Sequence, residues 1–355
     1  MNRTWQIRPY RDGDATGILQ LRKIVFGDID PVRSDMAAWS WQFQNNPAGH
    51  GWIFLAEDSG SVVGQYAAIP TRMLWNGREQ VCAFSCDTMT HPDYRHQGMF
   101  AALADELYHF ISHKHHIHTV WGFPNEQSLP GFTRRLNWNV ITRYPLTIIP
   151  LRPLRMLTTF IRYNRRPERL PAEKSKRAQS EPFNILPELD IVPIREFSDD
   201  FDIIWNRHKP LSRIVQIRDS QYLNWRYAAL PEFGYASFAI HYHHQPAGYL
   251  VIRLMTVKGH YFGALMDIFP LPLIDDRITI HLLKFVRRYC RINGAEFAAF
   301  LLPGAVQKHL RRLGAITIPK TIDPKPWHLG CRNPVNHEGR HPENWHITYG
   351  DADIL

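Results

Sequence analysis

The chain repeats itself at long range, and this repeat constrains the fold more than any other feature of the sequence. A shift of 184 residues aligns the identical pairs Ile7/Ile191, Pro9/Pro193, Arg11/Arg195, Asp35/Asp219, Trp41/Trp225, Pro47/Pro231, Phe54/Phe238 and Gly64/Gly248. A shift of 177 residues aligns Phe123/Phe300, Arg134/Arg311, Arg135/Arg312 and Leu136/Leu313. We interpret these matches as two copies of one module, each about 150 residues long, rather than as coincidences within one irregular domain.

The repeat predicts a division into a first domain at 1–150, a basic linker at 151–182 and a second domain at 183–355. The linker holds nine Lys or Arg residues against three Glu. Its first part, 151–166, interleaves arginines with apolar residues, which fits a connector helix packed on its own domain. The alternative is a weak contact with an anionic membrane surface, which a basic amphipathic helix can make. We favour the connector helix.

Composition and charge limit the class of protein and the kind of partner. The hydrophobic fraction of 44% is typical of a globular chain, and four cysteines are too few for a disulfide scaffold. No apolar run is long enough to span a membrane, and residues 1–10 lack the apolar core of a secretory signal. We therefore expect a cytoplasmic protein, with peripheral attachment to the inner face of the membrane as the alternative. The net charge of +9 indicates an anionic partner such as nucleic acid, phospholipid or a phosphorylated cofactor.

The first copy predicts an α/β fold. Its hydrophobic periodicity and turn residues give the order β-α-β-β-β-α-β-α-β, with Asn76-Gly77 as a two-residue hairpin turn. The last strand is predicted over 139–149. The expected architecture is two tandem mixed sheets flanked by helices.

The turn between the long returning strand and the next helix carries the first candidate site. Backbone N–H groups at a helix start lack intrahelical partners and can bind a pyrophosphate. Gly98 would let the phosphate approach the backbone, and Arg95 would add positive charge. The candidate binding residues are Met89, Thr90, His91, Arg95, His96, Gln97, Gly98, Met99 and Phe100.

This turn, in this order of elements, resembles the acetyl-coenzyme A motif of the GNAT N-acetyltransferase superfamily. That motif is Gln or Arg, two residues, Gly, one residue, and Gly or Ala. Arg95 and Gly98 match it, whereas Phe100 departs from it. Asn125, followed by a short helix, is similar to the second cofactor motif of the family. The resemblance implies a tandem GNAT-like layout and acetyl-CoA as co-substrate, and we expect no metal.

The resemblance also implies a general base on the strand that precedes the turn. Strict alternation would place Ser85, Asp87, Met89 and His91 on one face, and Asp87 is the carboxylate placed to take a proton from the attacking amine. In the family a Tyr seven residues after the motif Asn protonates the leaving thiolate, but Phe132 stands at that position. Either another tyrosine serves, with Tyr144 as the candidate, or the thiolate leaves unassisted.

The second copy lacks the phosphate-binding pattern. Two prolines and two carboxylates occupy the corresponding stretch, which runs from Phe269 to Arg277 and contains no glycine. Proline removes N–H donors, and the carboxylates of Asp275 and Asp276 would repel a phosphate. We therefore expect one cofactor per chain.

The function expected from the sequence is acetyl transfer from acetyl-CoA to an amine on a small molecule or glycan precursor, with no nucleic acid partner. Two alternatives remain open. One is an aminoacyl transferase of the peptidoglycan type that uses charged tRNA, and the other is a non-catalytic, membrane-associated scaffold. At the C-terminus, Asp351 and Asp353 would either form an exposed end, which we favour, or bind a cationic acceptor.

Overall fold

The computed structural model describes residues 4–27, 32–165, 186–209, 213–270, 275–302, 304–319, 323 and 327–352. The first copy contains β1 (Gln6–Pro9), α1 (Asp14–Phe26), α2 (Met36–Phe43), β2 (Trp52–Asp58), β3 (Ser61–Trp75), β4 (Arg78–Thr90), α3 (Met99–His115), β5 (Val120–Gly122), α4 (Leu129–Arg135), β6 (Asn139–Tyr144) and β7 (Thr147–Pro150). After α5 (Pro153–Arg165), the second copy contains β8 (Leu189–Ile194), α6 (Asp200–His208), β9 (Ile214–Gln216), α7 (Ser220–Leu223), β10 (Tyr235–Tyr242), β11 (Gln245–Val257), β12 (His260–Phe269), α8 (Asp276–Ile292), β13 (Phe297–Phe300), α9 (Gln307–Arg312), β14 (Ile316–Thr317) and β15 (Trp327–Arg332). Apart from β9, the two copies have the same element order, so the tandem α/β fold is confirmed.

Two mixed sheets organise two compact units. The first sheet has the order β1-β2-β3-β4-β5-β15-β6, with β9 paired to β3, and the second has the order β14-β7-β13-β12-β11-β10-β8. In each sheet the central pair is parallel, namely β4 with β5 and β12 with β13. These two are the only parallel pairs among the strand pairs registered in the described residues. Hairpins such as the one at Asn76-Gly77 join antiparallel neighbours.

Each sheet includes a strand from the other half of the sequence. Strand β7 lies between β13 and β14, and β15 occupies the equivalent position between β5 and β6. The first compact unit therefore comprises residues 1–143, 213–217 and 327–344, and the second comprises 144–212, 218–326 and 345–355. The predicted single strand over 139–149 is wrong, because its two parts join different sheets. The units also differ from the predicted domains 1–150 and 183–355, since pairing in a sheet does not require continuity along the chain.

The predicted linker begins with a regular helix, α5, which belongs to the second unit. The remainder of the predicted linker lies outside the described residues. No helix in the described part of the chain is both long and apolar enough to cross a bilayer.

The described C-terminal residues are buried in the second unit rather than exposed, which corrects the favoured expectation for Asp351. Nη2 of Arg218 donates to both carboxylate oxygens of Asp351 at 3.0 and 2.9 Å, and its Nε donates to Asp267 Oδ2 at 3.1 Å. All three side chains are almost completely buried. Asp351 is therefore occupied by an internal ion pair and does not bind a cationic acceptor, while Asp353 lies outside the described residues.

The same buried region contains a histidine that makes the stability of the protein depend on pH. Burial, followed by the positive charge of Arg218, lowers the pKa of His346 from 6.5 to about 3. Between these values the unfolded chain binds a proton that the folded chain does not, so stability falls as the pH falls below 6.5. We expect this residue to remove about 2 kcal/mol of unfolding free energy between pH 7 and 5.

Urea denaturation of the full chain at pH 7, 6 and 5 measures this effect. His346→Gln should unfold with a correspondingly shallower pH dependence, whatever its stability at pH 7. An equal pH dependence in the two proteins would contradict a neutral buried imidazole at this position.

Candidate active site

Strands β4 and β5 form a fork. They pair only at Ala83 with Val120 and at Phe84 with Trp121, after which they separate. Gly122 lies at the point of separation, where a Cβ would be 3.0 Å from the carbonyl oxygen of Ser85. Strand β5 turns its other edge to β15, so beyond Phe84 it gives β4 no registered partner. The open β4 edge can therefore hydrogen bond to an extended ligand that carries amides.

A β-bulge interrupts β4 next to the fork. Gln65 of β3 faces Met89 and Ala67 faces Cys86, so Asp87 and Thr88 together oppose one residue of β3. Asp87 has a φ of 46°, and Gln65 Nε2 donates to its carbonyl oxygen at 2.8 Å. A bulge adds a residue and re-aims the side chains around it. Strict alternation is therefore wrong for this strand.

Two of the side chains that alternation placed on one face, those of Ser85 and Asp87, have partners on different elements. Ser85 Oγ hydrogen bonds to Tyr66, whose hydroxyl is 2.6 Å from that of Tyr108 on α3. Asp87 instead forms an ion pair with Arg22 of α1, with Arg22 Nη1 2.6 Å from Asp87 Oδ1. Because of the bulge, the Ser85 hydroxyl and the Asp87 carboxylate have different partners, although the two residues are close together on β4.

Asp87 is a partly buried carboxylate with one oxygen committed. Its side chain is 14% exposed and that of Arg22 is 11% exposed. The described residues place a donor on Oδ1 and none on Oδ2. Arg22 therefore fixes the orientation of the carboxylate and leaves its second oxygen for another group.

The predicted phosphate turn leads from the end of β4 into α3. Residues Pro92–Tyr94 form a 3-10 turn, His96 has a φ of 65° and Gly98 a φ of 77°. Gly98 is the N-cap of α3, and within the described residues no side chain hydrogen bonds to the first turn of this helix. The residues from Arg95 to Gly98 are exposed. Backbone N–H groups and the helix dipole therefore face an accessible surface, as anion binding requires.

Hydrogen bonds from outside the turn fix its shape. Trp5 Nε1 donates to Gln97 Oε1 at 3.0 Å, and the Tyr94 hydroxyl donates to Asp58 at 2.9 Å. Hydrogen bonds from Thr4, Tyr94 and Ser59 lower the pKa of Asp58, so it accepts as a carboxylate. Gln97 is thus occupied by Trp5 through its amide oxygen, and its side chain supports the turn.

The other predicted binding residues divide into backbone and packing roles. The N–H of His91 donates to Val63, and successive N–H groups of a strand point to opposite edges, so the N–H of Thr90 faces the open edge of β4. The side chains of Met89 and Met99 are buried, and a Cβ on Gly64 would clash with Met99. Only the backbone of these two methionines is therefore placed to contact a ligand.

Asn125 and Phe132 lie on either side of the start of α4. Asn125 Oδ1 accepts a hydrogen bond from the N–H of Ser128 at 2.9 Å, so it shapes the turn that precedes this helix. Phe132 is buried against Phe100 and Trp138, with ring centroids 5.0 and 4.6 Å away. Phe100, which departs from the family motif, therefore belongs to an aromatic cluster beneath the turn.

A chain of hydroxyl groups, which no sequence motif indicates, borders this aromatic cluster. It runs from Ser85 through Tyr66 to Tyr108, which also accepts a hydrogen bond from Trp138 Nε1 at 3.0 Å. Burial raises the pKa of both tyrosines, so they remain protonated. Tyr66 and Tyr108 are 42 positions apart in sequence, and no local pattern announces their contact.

The corresponding helix start in the second unit is already capped. Asp275 accepts a hydrogen bond from the N–H of Ile278 at 2.8 Å, and Asp276 pairs with Lys308 and His309. Residues 271–274 lie outside the described chain. The carboxylate of Asp275 takes the position at the start of α8 that the uncapped Gly98 turn leaves accessible at α3.

The fork, the bulge and the glycine-capped helix define a GNAT-type acyltransferase unit. Residues 6–141 match the family model for the acetyltransferase (GNAT) domain, so this part of the chain is identified as a GNAT domain. Acyl transfer from a coenzyme A thioester to an amine is the reaction class of this fold. Within the described residues, no cluster of three or more His, Cys, Asp or Glu side chains is arranged to hold a metal ion.

Solved structures share the fold over nearly the whole chain. A GCN5-related N-acetyltransferase from Anabaena variabilis is 12% identical, with a TM-score of 0.58 over 92% of this chain and 72% of its own. A probable N-acyltransferase from Enterococcus faecalis is 12% identical, with a TM-score of 0.60 over 93% of this chain and 73% of its own. Saccharomyces cerevisiae N-myristoyltransferase with bound myristoyl-CoA is 12% identical, with a TM-score of 0.61 over 100% of this chain and 90% of its own. A search of curated protein sequences returns no significant match.

Proposed function

We propose that the first unit transfers an acetyl group from acetyl-CoA to an amine on a small molecule or glycan precursor. The observation that carries the proposal is the continuous segment from the fork at Phe84, through the bulge at Asp87, to the helix start at Gly98, which no side chain caps. This segment supplies, in order, an open strand edge, a carboxylate and an anion site. The match of residues 6–141 to an acetyltransferase family supports acetyl as the acyl group.

The residues present fit the cofactor. The turn from Arg95 to Gly98 and the first N–H groups of α3 would hold the pyrophosphate, because no side chain caps that helix end. Backbone groups of Thr90 on the open edge of β4 would pair with the amides of pantetheine. Bound there, acetyl-CoA supplies a thioester whose carbonyl carbon accepts the amine and whose thiolate leaves.

Asp87 is the proposed general base. An amine is protonated near neutral pH and must lose its proton before it can attack, so a proton acceptor is required beside the fork. Asp87 Oδ2 can take this proton while Oδ1 remains held by Arg22. The N–H of Thr90 is a donor that can stabilise negative charge developing on the carbonyl oxygen.

The hydroxyl chain is the proposed hydrogen-bond donor to the leaving thiolate, in place of the proton that a family tyrosine would give. Phe132 has none to give, and Tyr144 belongs to the second unit, where burial raises its pKa. Ser85 lies at the fork itself, and its hydroxyl can turn from Tyr66 to donate a hydrogen bond to the departing sulfur, while Tyr66 and Tyr108 stay protonated and hold its position. This assignment supports the proposal that the thiolate leaves with assistance despite the missing family tyrosine.

Calorimetric titration tests the proposed function. Acetyl-CoA should bind the full chain, and a thermal-shift screen of amines in its presence should identify acceptors. An aminoacyl transferase would instead bind charged tRNA and ignore coenzyme A, and a scaffold would bind neither. Absence of coenzyme A binding by a folded chain would overturn the proposal.

The same titration measures how many acetyl-CoA molecules bind to each chain. We expect one acetyl-CoA per chain, because Asp275 already caps the second helix start and its charge repels phosphate. Asp276→Asn, on an exposed side chain, should leave both affinity and stoichiometry unchanged. Two equivalent sites per chain would show that the second copy retains a cofactor site.

A further inference from the structure

Helix α5 exposes an apolar face to solvent. Leu154, Leu157, Phe160 and Ile161 follow the spacing that places residues on one side of a helix, and all four are exposed. Leu154 is 82% exposed and Phe160 is 56% exposed. An apolar stripe normally faces the core of the protein, so this helix is inverted relative to the usual arrangement.

The opposite, polar face attaches α5 to the second unit. Thr159 Oγ1 donates to Glu296 Oε1 at 2.9 Å, and Arg155 Nε lies 3.5 Å from the same oxygen. The Glu296 side chain is 1% exposed and is also 2.7 Å from His260 Nδ1. Just before the helix, the N–H groups of Leu151 and Arg152 donate to the Glu296 carbonyl oxygen. The connector helix is thus packed on its own unit, but through polar contacts that turn its apolar face outward.

The charge of α5 indicates what covers this face. The helix contains no acidic residue, and Arg155 and Arg162, together with Arg152 just before it, are exposed on the polar side of the helix. A second copy of the helix would bring like charges together, whereas an anionic surface would be attracted. The apolar side chains would gain nothing from a purely polar anion such as nucleic acid. A lipid surface satisfies both halves of the pattern, because it offers negative headgroups above an apolar layer.

We propose that α5 binds the surface of a bilayer containing anionic lipids, with Leu154, Leu157, Phe160 and Ile161 inserted among the acyl chains. At 1.5 Å per residue, its 13 residues form a helix about 20 Å long, which would lie in the plane of the interface. The arginines lie on the polar side of the helix, away from the acyl chains, where lipid headgroups can contact their guanidinium groups. This inference does not depend on the acyl-transfer chemistry of the first unit.

Vesicle sedimentation of the full chain tests the proposal. We expect binding to vesicles of phosphatidylcholine with phosphatidylglycerol to be at least about tenfold stronger than to phosphatidylcholine alone, and to weaken as salt is raised. Phe160→Glu should lower binding by at least about tenfold. Ile203→Glu on α6 is the matched control, because Ile203 is 58% exposed in the same unit, and it should bind like the unmodified chain.

Three results would overturn the proposal. They are unchanged vesicle binding by Phe160→Glu, equal binding to vesicles with and without phosphatidylglycerol, and a dimer that Phe160→Glu dissociates in the absence of any vesicle binding. The last result, read by analytical ultracentrifugation, would assign the face to a second copy of the chain. If Phe160→Glu does not fold, Leu154→Gln provides the same test, since its side chain is almost entirely exposed.

Discussion

Asp87→Asn is expected to lower kcat by about 10²–10⁴-fold while leaving the Kd for acetyl-CoA unchanged. The amide keeps the shape of the carboxylate but cannot accept the proton of the attacking ammonium. Steady-state kinetics with an acceptor from the amine screen gives kcat, and calorimetry gives the Kd. Asp87→Glu should recover part of the lost rate, because it restores a carboxylate near the same place.

A closely matched ion pair in the same unit provides the control. Asp14 is also 14% exposed and also lies 2.6 Å from a guanidinium nitrogen, that of Arg8, but it is bound at the start of α1. Asp14→Asn should therefore disturb an equivalent ion pair without affecting kcat. Turnover at the unmodified rate in Asp87→Asn, or equal losses in the two variants, would remove Asp87 from the role of base.

Gly98→Asp is expected to weaken acetyl-CoA binding by about 2 kcal/mol or more, which is roughly 30-fold in Kd. The substitution places a carboxylate at the α3 start, where it can cap the helix and repel the pyrophosphate. Gly98→Ala adds a Cβ without charge and should have an intermediate effect. Calorimetric titration measures all three affinities.

Gly77→Asp separates this effect from backbone strain. Gly77 has a φ of 79°, close to the 77° of Gly98, and a Cβ there meets no atom within 4 Å. The two variants therefore carry the same side chain on nearly the same backbone conformation, but Gly77 lies in the β3–β4 hairpin. Equal affinities for acetyl-CoA in the two folded variants would contradict the assignment of the Gly98 turn.

The features predicted from sequence are those that local chemistry determines. Asn76-Gly77 forms the expected hairpin because both residues adopt positive φ, which a tight turn of this kind requires. The start of α3 was located because Gly98 marks a helix end that carries no capping side chain. Helix α2 was missed because most of its side chains, including Trp39, Trp41 and Phe43, are buried, so it shows no apolar periodicity.

The features that were not predicted depend on contacts distant in sequence. Alternation failed at Asp87 because a bulge is a property of two paired strands, and one strand alone does not reveal it. Arg22 lies 65 positions from Asp87, and nothing near either residue indicates their pairing. The departure of Phe132 from the family pattern was visible in the sequence, but the hydroxyl chain beside it required three elements in place.

Strand β7 of the first copy lies in the second sheet, and β15 of the second copy lies in the first sheet. This exchange limits how the chain can be divided into fragments. A fragment that stops at Pro150 contains every residue proposed to hold acetyl-CoA, yet it lacks β15, the strand that lies between β5 and β6. It also ends in β7, whose sheet partners are then missing. Neither half of the chain contains all the strands of one sheet, because each sheet includes a strand from the other half. We therefore expect loss of the second copy to leave the first sheet incomplete, even though only the first copy is proposed to perform chemistry.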